Sequence, residues 1–291
     1  MQEIFITVIV IFIILGLLLV IVGFIDGNRF RVVKEKIELS GLAKPCRFVL
    51  ISDLHNKVYG NKNDKVISAV KKINPDFIII AGDLVTSKSK ETMEPGIELI
   101  NTLSKDYKVY YALGNHESKI KHCKDRFGNQ YEVLKKEINN PNIILLENES
   151  CIIEEYNIAV TGLELDLKYF AHFKRRELED NYLSKTIKTP KKNHCNILIA
   201  HNPDYFDEYA KWGADLVLSG HVHGGIMRLP VLGGVIAPSY VIFPKYDGGI
   251  FKKDNSVMLL GRGMGAHTIP LRIFNPAELY EVCLEVKTDI E

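Results

Sequence analysis

The sequence predicts an α/β domain with substantial parallel β-pairing, set behind one N-terminal transmembrane helix. Three observations predict it. Short, continuously apolar runs alternate with segments of helical spacing, the pattern of strands buried on both faces and joined by helices. Residues 4–25 are uncharged and nearly all Ile, Leu, Val and Phe. Five of the short apolar runs end in His, Asp or Asn.

The N-terminal run is about as long as the ~20 residues that a spanning helix needs, and a helix buried in a soluble core is seldom apolar on every face. Only Gln2 and Glu3 precede it. A cleavable signal peptide has a basic leading region and a shorter apolar stretch, so the segment reads as an uncleaved anchor, residues 1–28, with a signal peptide as the weaker alternative. Arg29, Arg31, Lys34 and Lys36 follow the span and no Lys or Arg precedes it. That asymmetry predicts a single-pass protein of the cell membrane with its C-terminal bulk in the cytoplasm. A net charge of +1 over 291 residues argues against bulk binding of polyanions, and no specific nucleic-acid partner is expected. The five cysteines form no CxxC pair and read as reduced, mostly buried residues rather than a disulfide framework.

Residues 29–44 read as a linker and first strand, with weak alternation over 31–39 and a turn around Gly41 and Pro45. Residues 45–291 read as one domain without an internal boundary. Residues 47–52 are a strand ending in Asp53-Leu54-His55, and 63–73 have helical spacing. Residues 77–81 repeat the strand signal and end in Gly82-Asp83, after which 89–103 read as a helix interrupted near Pro95. Residues 108–113 are a strand ending in Gly114-Asn115-His116-Glu117. The polar stretch 118–140 holds one helix, about 125–138, and short strands follow at 143–146, 151–154 and 158–162. Residues 165–192 are a polar and basic excursion, either a solvated helix and loop or a lid that meets an anionic substrate or the membrane surface. Residues 196–200 are a strand ending in His201, followed by a helix over 203–211, and 215–218 are a strand ending in Ser219-Gly220-His221-Val222-His223-Gly224-Gly225. Strands at 248–251, 256–261 and 279–286 fit a second sheet packed on the first.

In a sheet of this kind, residues at the carboxyl ends of the strands converge on one crevice. Asp53, His55, Asp83, Asn115, His201, His221 and His223 therefore share one candidate site. Imidazole and carboxylate donors suit Zn, Mn or Fe, and seven donors are too many for one tetrahedral ion. Two divalent ions ~3.5–4 Å apart would use them all. Asp83, alone at its strand end, is the natural bridge. One ion takes Asp53, His55 and His223, and the other takes Asn115, His201 and His221. A neutral Asn in place of a third carboxylate leaves the site net positive and suited to phosphate.

The series Asp53-x-His55, Gly82-Asp83, Gly114-Asn115-His116-Glu117, His201 and Gly220-His221-x-His223 resembles the calcineurin-like metallophosphoesterase superfamily, in order and over nearly the whole chain after the anchor. The tail, with Gly224-Gly225 to Pro230, Ala237-Pro238, Lys245-Tyr246, Gly261-Arg262-Gly263 and Asn275-Pro276, resembles its membrane-associated branch of YaeI-type and YkuE-type phosphodiesterases. The resemblance implies a four-layer αββα sandwich, two mixed β-sheets flanked by helices, with a dinuclear metal centre that hydrolyses phosphate esters. A hydroxide held between the two cations is then the nucleophile, and Asp83 and His116 count as catalytic. His116 stabilises or protonates the leaving group, with Glu117 as its orienting partner or a simple helix cap. Arg262 and Glu117 are candidate substrate contacts, the alternative for Arg262 being a structural ion pair, and the glycines Gly224 and Gly225 would let the chain pass close to a bound phosphate. His122, His172, His194 and His267 have no ligand spacing.

The leading reading is a membrane-associated phosphodiesterase or pyrophosphohydrolase acting on a phosphoester or pyrophosphate substrate, with a lipid-linked substrate as its membrane-specific form. The alternatives are a membrane-tethered regulatory or binding protein with a structural metal site, and a protein or nucleotide phosphatase.

Overall fold

A computed structural model of the chain describes residues 1–88, 91–171, 175–229, 232–236, 241–266 and 271–287. Helix α1 (Gln2–Gly27) carries the apolar span and is exposed along nearly its whole length. Only Gly23, Asp26 and Gly27, in its last turn and a half, are buried against the rest of the chain.

Beyond it the elements run in chain order through β1 (Phe30–Leu39), β2 (Cys46–Ile51), α2 (Asp64–Ile73), β3 (Phe77–Ala81), α3 (Glu94–Leu103) and β4 (Lys108–Ala112). There follow α4 (Asn115–His122), α5 (Lys124–Phe127), α6 (Gln130–Glu137), β5 (Ile143–Leu146), β6 (Ser150–Ile153), β7 (Ile158–Leu163) and α7 (Tyr182–Thr186). The rest comprises β8 (Cys195–Ala200), α8 (Phe206–Trp212), β9 (Leu216–Ser219), the short pair β10 (Arg228–Leu229) and β11 (Gly233–Gly234), β12 (Gly249–Lys253), β13 (Ser256–Leu260) and β14 (Ala277–Val286).

Two six-stranded mixed sheets form the centre. The first has the order β1-β14-β2-β3-β4-β5, the second β12-β13-β9-β8-β7-β6. In the first, β2, β3, β4 and β5 are mutually parallel. In the second, β7, β8 and β9 are parallel. Alternation along the strands builds three cores. On β2, Phe48 and Leu50 face the core between the sheets, joined there by Ile197 and Ile199 of β8 and Leu216 and Leu218 of β9. Val49 and Ile51 face outward to Val66 and Val70 of α2 and Leu99 and Ile100 of α3. On the far side of the second sheet, Leu198 and Val217 pack on Phe206 and Tyr209. Helices, sheet, sheet and helices therefore stack as four layers. Strands clothed on both faces must be apolar at every position, which is why β3 reads as an unbroken Phe-Ile-Ile-Ile-Ala.

Several elements differ from the sequence reading for local reasons. Pro95 sits in the first turn of α3 and opens that helix rather than interrupting it, because its missing N–H is unneeded there. The helix expected over 125–138 is two, α5 and α6, divided at Gly128 with φ +59°. Helix α4 has no counterpart in the sequence reading, since it buries few apolar side chains. Residues 279–286, expected in the second sheet, lie in β14 of the first, which pairs in parallel with the expected first strand β1 from Phe30 opposite Ala277 to Leu39 opposite Val286. The cysteines are free, with Cys46 and Cys195 buried and Cys123, Cys151 and Cys283 half-buried.

Candidate metal centre

Strands β2, β3 and β4 of the first sheet and β8 and β9 of the second all end at one edge of the sandwich. The five strand ends singled out in the sequence therefore meet, although they span residues 53–223. The backbone there is unusual. Asp53, His55, Asp83, His221 and His223 have φ between 48° and 73°, the left-handed region that non-glycine residues rarely occupy and that gathers at functional sites. Neighbouring glycines make room for them. A Cβ on Gly220 would lie 2.4 Å from Asp53 Oδ2, and one on Gly114 would lie 2.2 Å from Asp83 Oδ1.

Donor atoms fall into overlapping groups. Asp53, His55 and His223 offer atoms mutually within 4.8 Å, as do His55, Asp83 and His116, and Asp83, His201 and His221. The first group holds the three residues expected for one ion; the third holds His201 and His221 of the other expected set with Asp83, which is in reach of the His55 and His201 sides alike. His55 Nε2 and His223 Nε2 stand 3.1 Å apart. Asn115 Oδ1 is 2.8 Å from His221 Nδ1, and the His221 backbone N–H donates to Asp53 Oδ1 at 2.7 Å.

Whether these residues suit a cation is decided at His201. Its Nδ1 lies 2.7 Å from the Ala81 carbonyl. A carbonyl only accepts, so Nδ1 carries the proton and a neutral ring presents a lone pair at Nε2. That Nε2 is buried without a hydrogen bond, 3.2 Å from Asp83 Oδ2 and 3.7 Å from Asp53 Oδ1. Asp53 Oδ2 is likewise buried and unpartnered. Lone pairs pointed at each other in a dry site require a proton or a cation between them. A histidine anchored through Nδ1–H to a backbone carbonyl is also the usual arrangement of a metal ligand. The donor set fits divalent metal.

The charge balance agrees. Burial raises the Asp83 carboxyl, but the imidazoles of His201, His116 and His55 outweigh it and hold the group well below its ordinary value. Burial pushes Asp53 up to about 6, against the pull of His201. Burial would lower His201, yet Asp83 and Asp53 raise it to about 10. The backbone N–H of His116, in the first turn of α4, donates to Asp83 Oδ1 at 2.8 Å, so the positive end of that helix adds to the stabilisation.

The sequence profile of calcineurin-like phosphoesterases matches residues 46–225, more than half of the chain. The chain belongs to the calcineurin-like phosphoesterase family. An uncharacterized metallophosphoesterase of Campylobacter jejuni is 29% identical over 255 residues, covering 86% of this chain and 62% of the relative. A transmembrane protein with metallophosphoesterase domain from Bos taurus is 23% identical over 244 residues, covering 82% and 53%. The uncharacterized metallophosphoesterase YkuE of Bacillus subtilis is 24% identical over 239 residues, covering 80% and 77%. The chain thus spans less than two thirds of the length of the first two.

Glu117, a candidate substrate contact, lies beneath the site. It is fully buried, Oε1 accepts from Val85 N–H and the Tyr111 hydroxyl, and Oε2 accepts from Asp83 N–H and Gly114 N–H. It reaches back three residues to the helix N-cap, the second half of a capping box, and clamps the Asp83 loop from beneath. Burial and the Asp83 charge raise it to about 7. Arg262 pairs with the buried carboxylate of Glu278 at 3.0 Å, which Arg31 also meets at 2.6 Å. The ion-pair alternative describes it. The room left by Gly224 is taken by Asn275 Oδ1 and the Arg262 stem, at 2.7 and 3.0 Å from a Cβ placed there, rather than by a path to phosphate. His122 pairs with Glu164 at 2.8 Å and His194 is half-buried, its Nδ1 2.9 Å from the Lys192 carbonyl. His172, His267, Pro230 and Ala237-Pro238 lie outside the described residues.

Three residues absent from the sequence reading serve the site. The Phe170 ring stands 5.1 Å from His221 and 6.2 Å from His201, bringing the 165–192 excursion to the site's rim. Ser87 donates its N–H to His116 Nδ1 at 2.8 Å. Buried Arg272 donates to the carbonyls of His223 and Gly265, holding the last loop. No periodicity marks these residues; a buried arginine after a glycine-rich run is the one sequence hint.

Proposed function

We propose that this chain is a membrane-anchored, dimetal phosphoester hydrolase, a phosphodiesterase or pyrophosphohydrolase, with residues 1–28 as anchor and the remainder as the hydrolytic unit. The observation that carries it is the dry meeting of the unpartnered His201 Nε2 with the Asp53 and Asp83 carboxylates, beside four further imidazoles. Asp53, His55 and His223 would hold one ion and Asn115, His201 and His221 the other, with Asp83 serving both. When bound, such cations supply Lewis acidity that activates water and draws charge from phosphate.

The protein's own part is positional and protonic. Ala81 and Gly265 carbonyls orient His201 and His223 through their Nδ1 atoms, which leaves both Nε2 atoms facing the site. Because Ser87 N–H donates to His116 Nδ1, the neutral His116 ring carries its proton on Nε2, from which it can donate a hydrogen bond that stabilises the departing oxygen. Burial lowers the His116 pKa below its ordinary value, with Asp83 opposing, which favours this neutral, hydrogen-bond-donating form. The excess of Arg and Lys just after α1 supports a cytoplasmic hydrolytic unit, and the anchor supports a substrate held at the bilayer, a lipid-linked phosphoester or pyrophosphate.

The purified full chain, loaded in turn with Mn, Zn, Fe or Co, is expected to hydrolyse bis(p-nitrophenyl) phosphate, and Asp83→Asn to abolish turnover. Tightly bound metal without turnover on any phosphoester would instead make it a binding protein.

A further inference from the structure

The root of α1 is packed into the same loops that carry the candidate ligands. The Asn275 backbone N–H donates to Asp26 Oδ2 at 3.1 Å, and the Asn275 side chain donates to the carbonyls of His223 and Gly225 at 2.8 and 2.6 Å. On the other side, Lys57, two residues after His55, donates to Asn28 Oδ1 at 2.7 Å. Arg272 N–H donates to the Gly23 carbonyl, and Ile273 and Leu271 fill the space beside Gly23.

The depth of that contact follows from helix geometry. The uncharged span 4–25 rises ~33 Å at ~1.5 Å per residue, against a hydrocarbon core of ~30 Å. Gly23 lies inside that span and Asp26 just beyond it. A segment packed on Gly23 is therefore at head-group level whenever α1 crosses a bilayer.

From this root a narrow ladder extends sideways. Met227 bridges Ile273 in parallel, Val235 N–H donates to the Met227 carbonyl, and Phe243 N–H donates to the Val235 carbonyl. At ~4.8 Å per strand spacing, its far edge is roughly 15 Å from the helix root. The ladder and its flank expose large apolar side chains: Phe274, Leu232, Ile242 and Phe243 are 50%, 62%, 66% and 55% accessible, and Val58, next to Lys57, is 40%. Both phenylalanines have left-handed backbones, φ 53° and 49°, a conformation a bulky residue adopts at a cost. Exposed apolar residues scattered singly need no explanation, but a group continuous with a membrane helix does.

We propose that this ladder is a second membrane contact. Ile242, Phe243, Leu232, Phe274 and Val58 dip into the head-group and acyl boundary around the foot of α1, so the hydrolytic unit lies against the bilayer instead of swinging from a tether. The mouth of the metal centre then faces lipid head groups at fixed height. This rests on α1 spanning the membrane.

The test uses the full chain in phosphatidylcholine/phosphatidylglycerol vesicles, with the single native tryptophan removed by Trp212→Phe and one tryptophan introduced at a time: Phe243→Trp, Phe274→Trp, or Leu15→Trp within the span. With lipids brominated near the head group, Phe243→Trp and Phe274→Trp are expected to lose roughly half their emission and to shift to the blue, as for rings sunk ~5–10 Å into the boundary. Quenching of Leu15→Trp by lipids brominated deep in the acyl chains, with neither rim tryptophan quenched by the head-group or the deep bromolipid, overturns the second contact and leaves the anchor intact. Absence of quenching at Leu15→Trp by the deep bromolipid overturns the anchor itself. Rim tryptophans shielded from acrylamide but unquenched by lipid, in a particle of twice the chain mass, would assign the ladder to a second copy and overturn the proposal.

Discussion

Replacing Glu117 by glutamine tests whether the carboxylate beneath the site is structural. Four donors converge on its two oxygens, three of them backbone N–H groups. Glutamine keeps one acceptor oxygen and introduces an NH2. In its best pose the NH2 faces Val85 N–H and the Tyr111 hydroxyl. That hydroxyl can turn to accept, but Val85 N–H is left opposite another donor in a dry interior. The remaining bonds lose their charge assistance. One stranded donor and three weakened bonds come to ~2–5 kcal/mol, a drop in Tm of roughly 5–15 °C for a domain of this size. The measurement is thermal unfolding of the metal-free full chain in detergent at about pH 8, above the value near 7 to which burial raises this group, so that the wild-type carboxylate is ionised. A substrate contact behaves differently, with Tm unchanged and KM raised. That pattern would refute the structural assignment.

Other outcomes follow from the same geometry. His116→Ala should lower kcat by ~10²–10³ while inductively coupled plasma mass spectrometry finds bound metal unchanged; metal loss in step with activity would remove the leaving-group role. Gly220→Ala forces Asp53 away from a Cβ that would stand 2.4 Å from Oδ2, and a shift approaching 1 Å costs ~10²-fold in turnover, with native-like circular dichroism as the control. Because Asp83 and Asp53 hold His201 protonated up to about 10, a cation must displace that proton. Affinity should therefore rise with pH, roughly tenfold per unit between about pH 6 and pH 9. Calorimetry in buffers of different ionisation enthalpy should find proton release, and pH-independent binding would sink the account.

Much of this molecule is legible in its sequence where local pattern and tertiary burial coincide. Strands such as β3 and β8 lie between two cores and read as unbroken apolar runs. The candidate ligands sit one to four residues past the ends of such runs, so the runs also locate the site. What escaped depends on partners distant in sequence. The parallel pairing of β1 with β14 joins the two ends of the chain, and Phe170 reaches the site through packing of an otherwise polar excursion. Glu117 has the composition of a site residue and the surroundings of a buried clamp, a distinction made only by its four donors. The left-handed backbones of five candidate ligands carry only a weak signature in residue type, since aspartate and histidine are enriched in that conformation yet mostly lie outside it.

The two sheets contribute unequally but jointly to the candidate centre: Asp53, His55, Asp83 and Asn115 follow strands of the first, and His201, His221 and His223 follow strands of the second. His55 and His223 are 168 residues apart in the chain, yet their Nε2 atoms are 3.1 Å apart. An ion held between them closes a very long loop, as a reversible cross-link would, and exists only when the two sheets are docked. Metal occupancy is thereby a reporter of the sandwich itself. Chelation unfastens one edge of the fold, and a chain still emerging from synthesis has no centre to load until β9 has found its place.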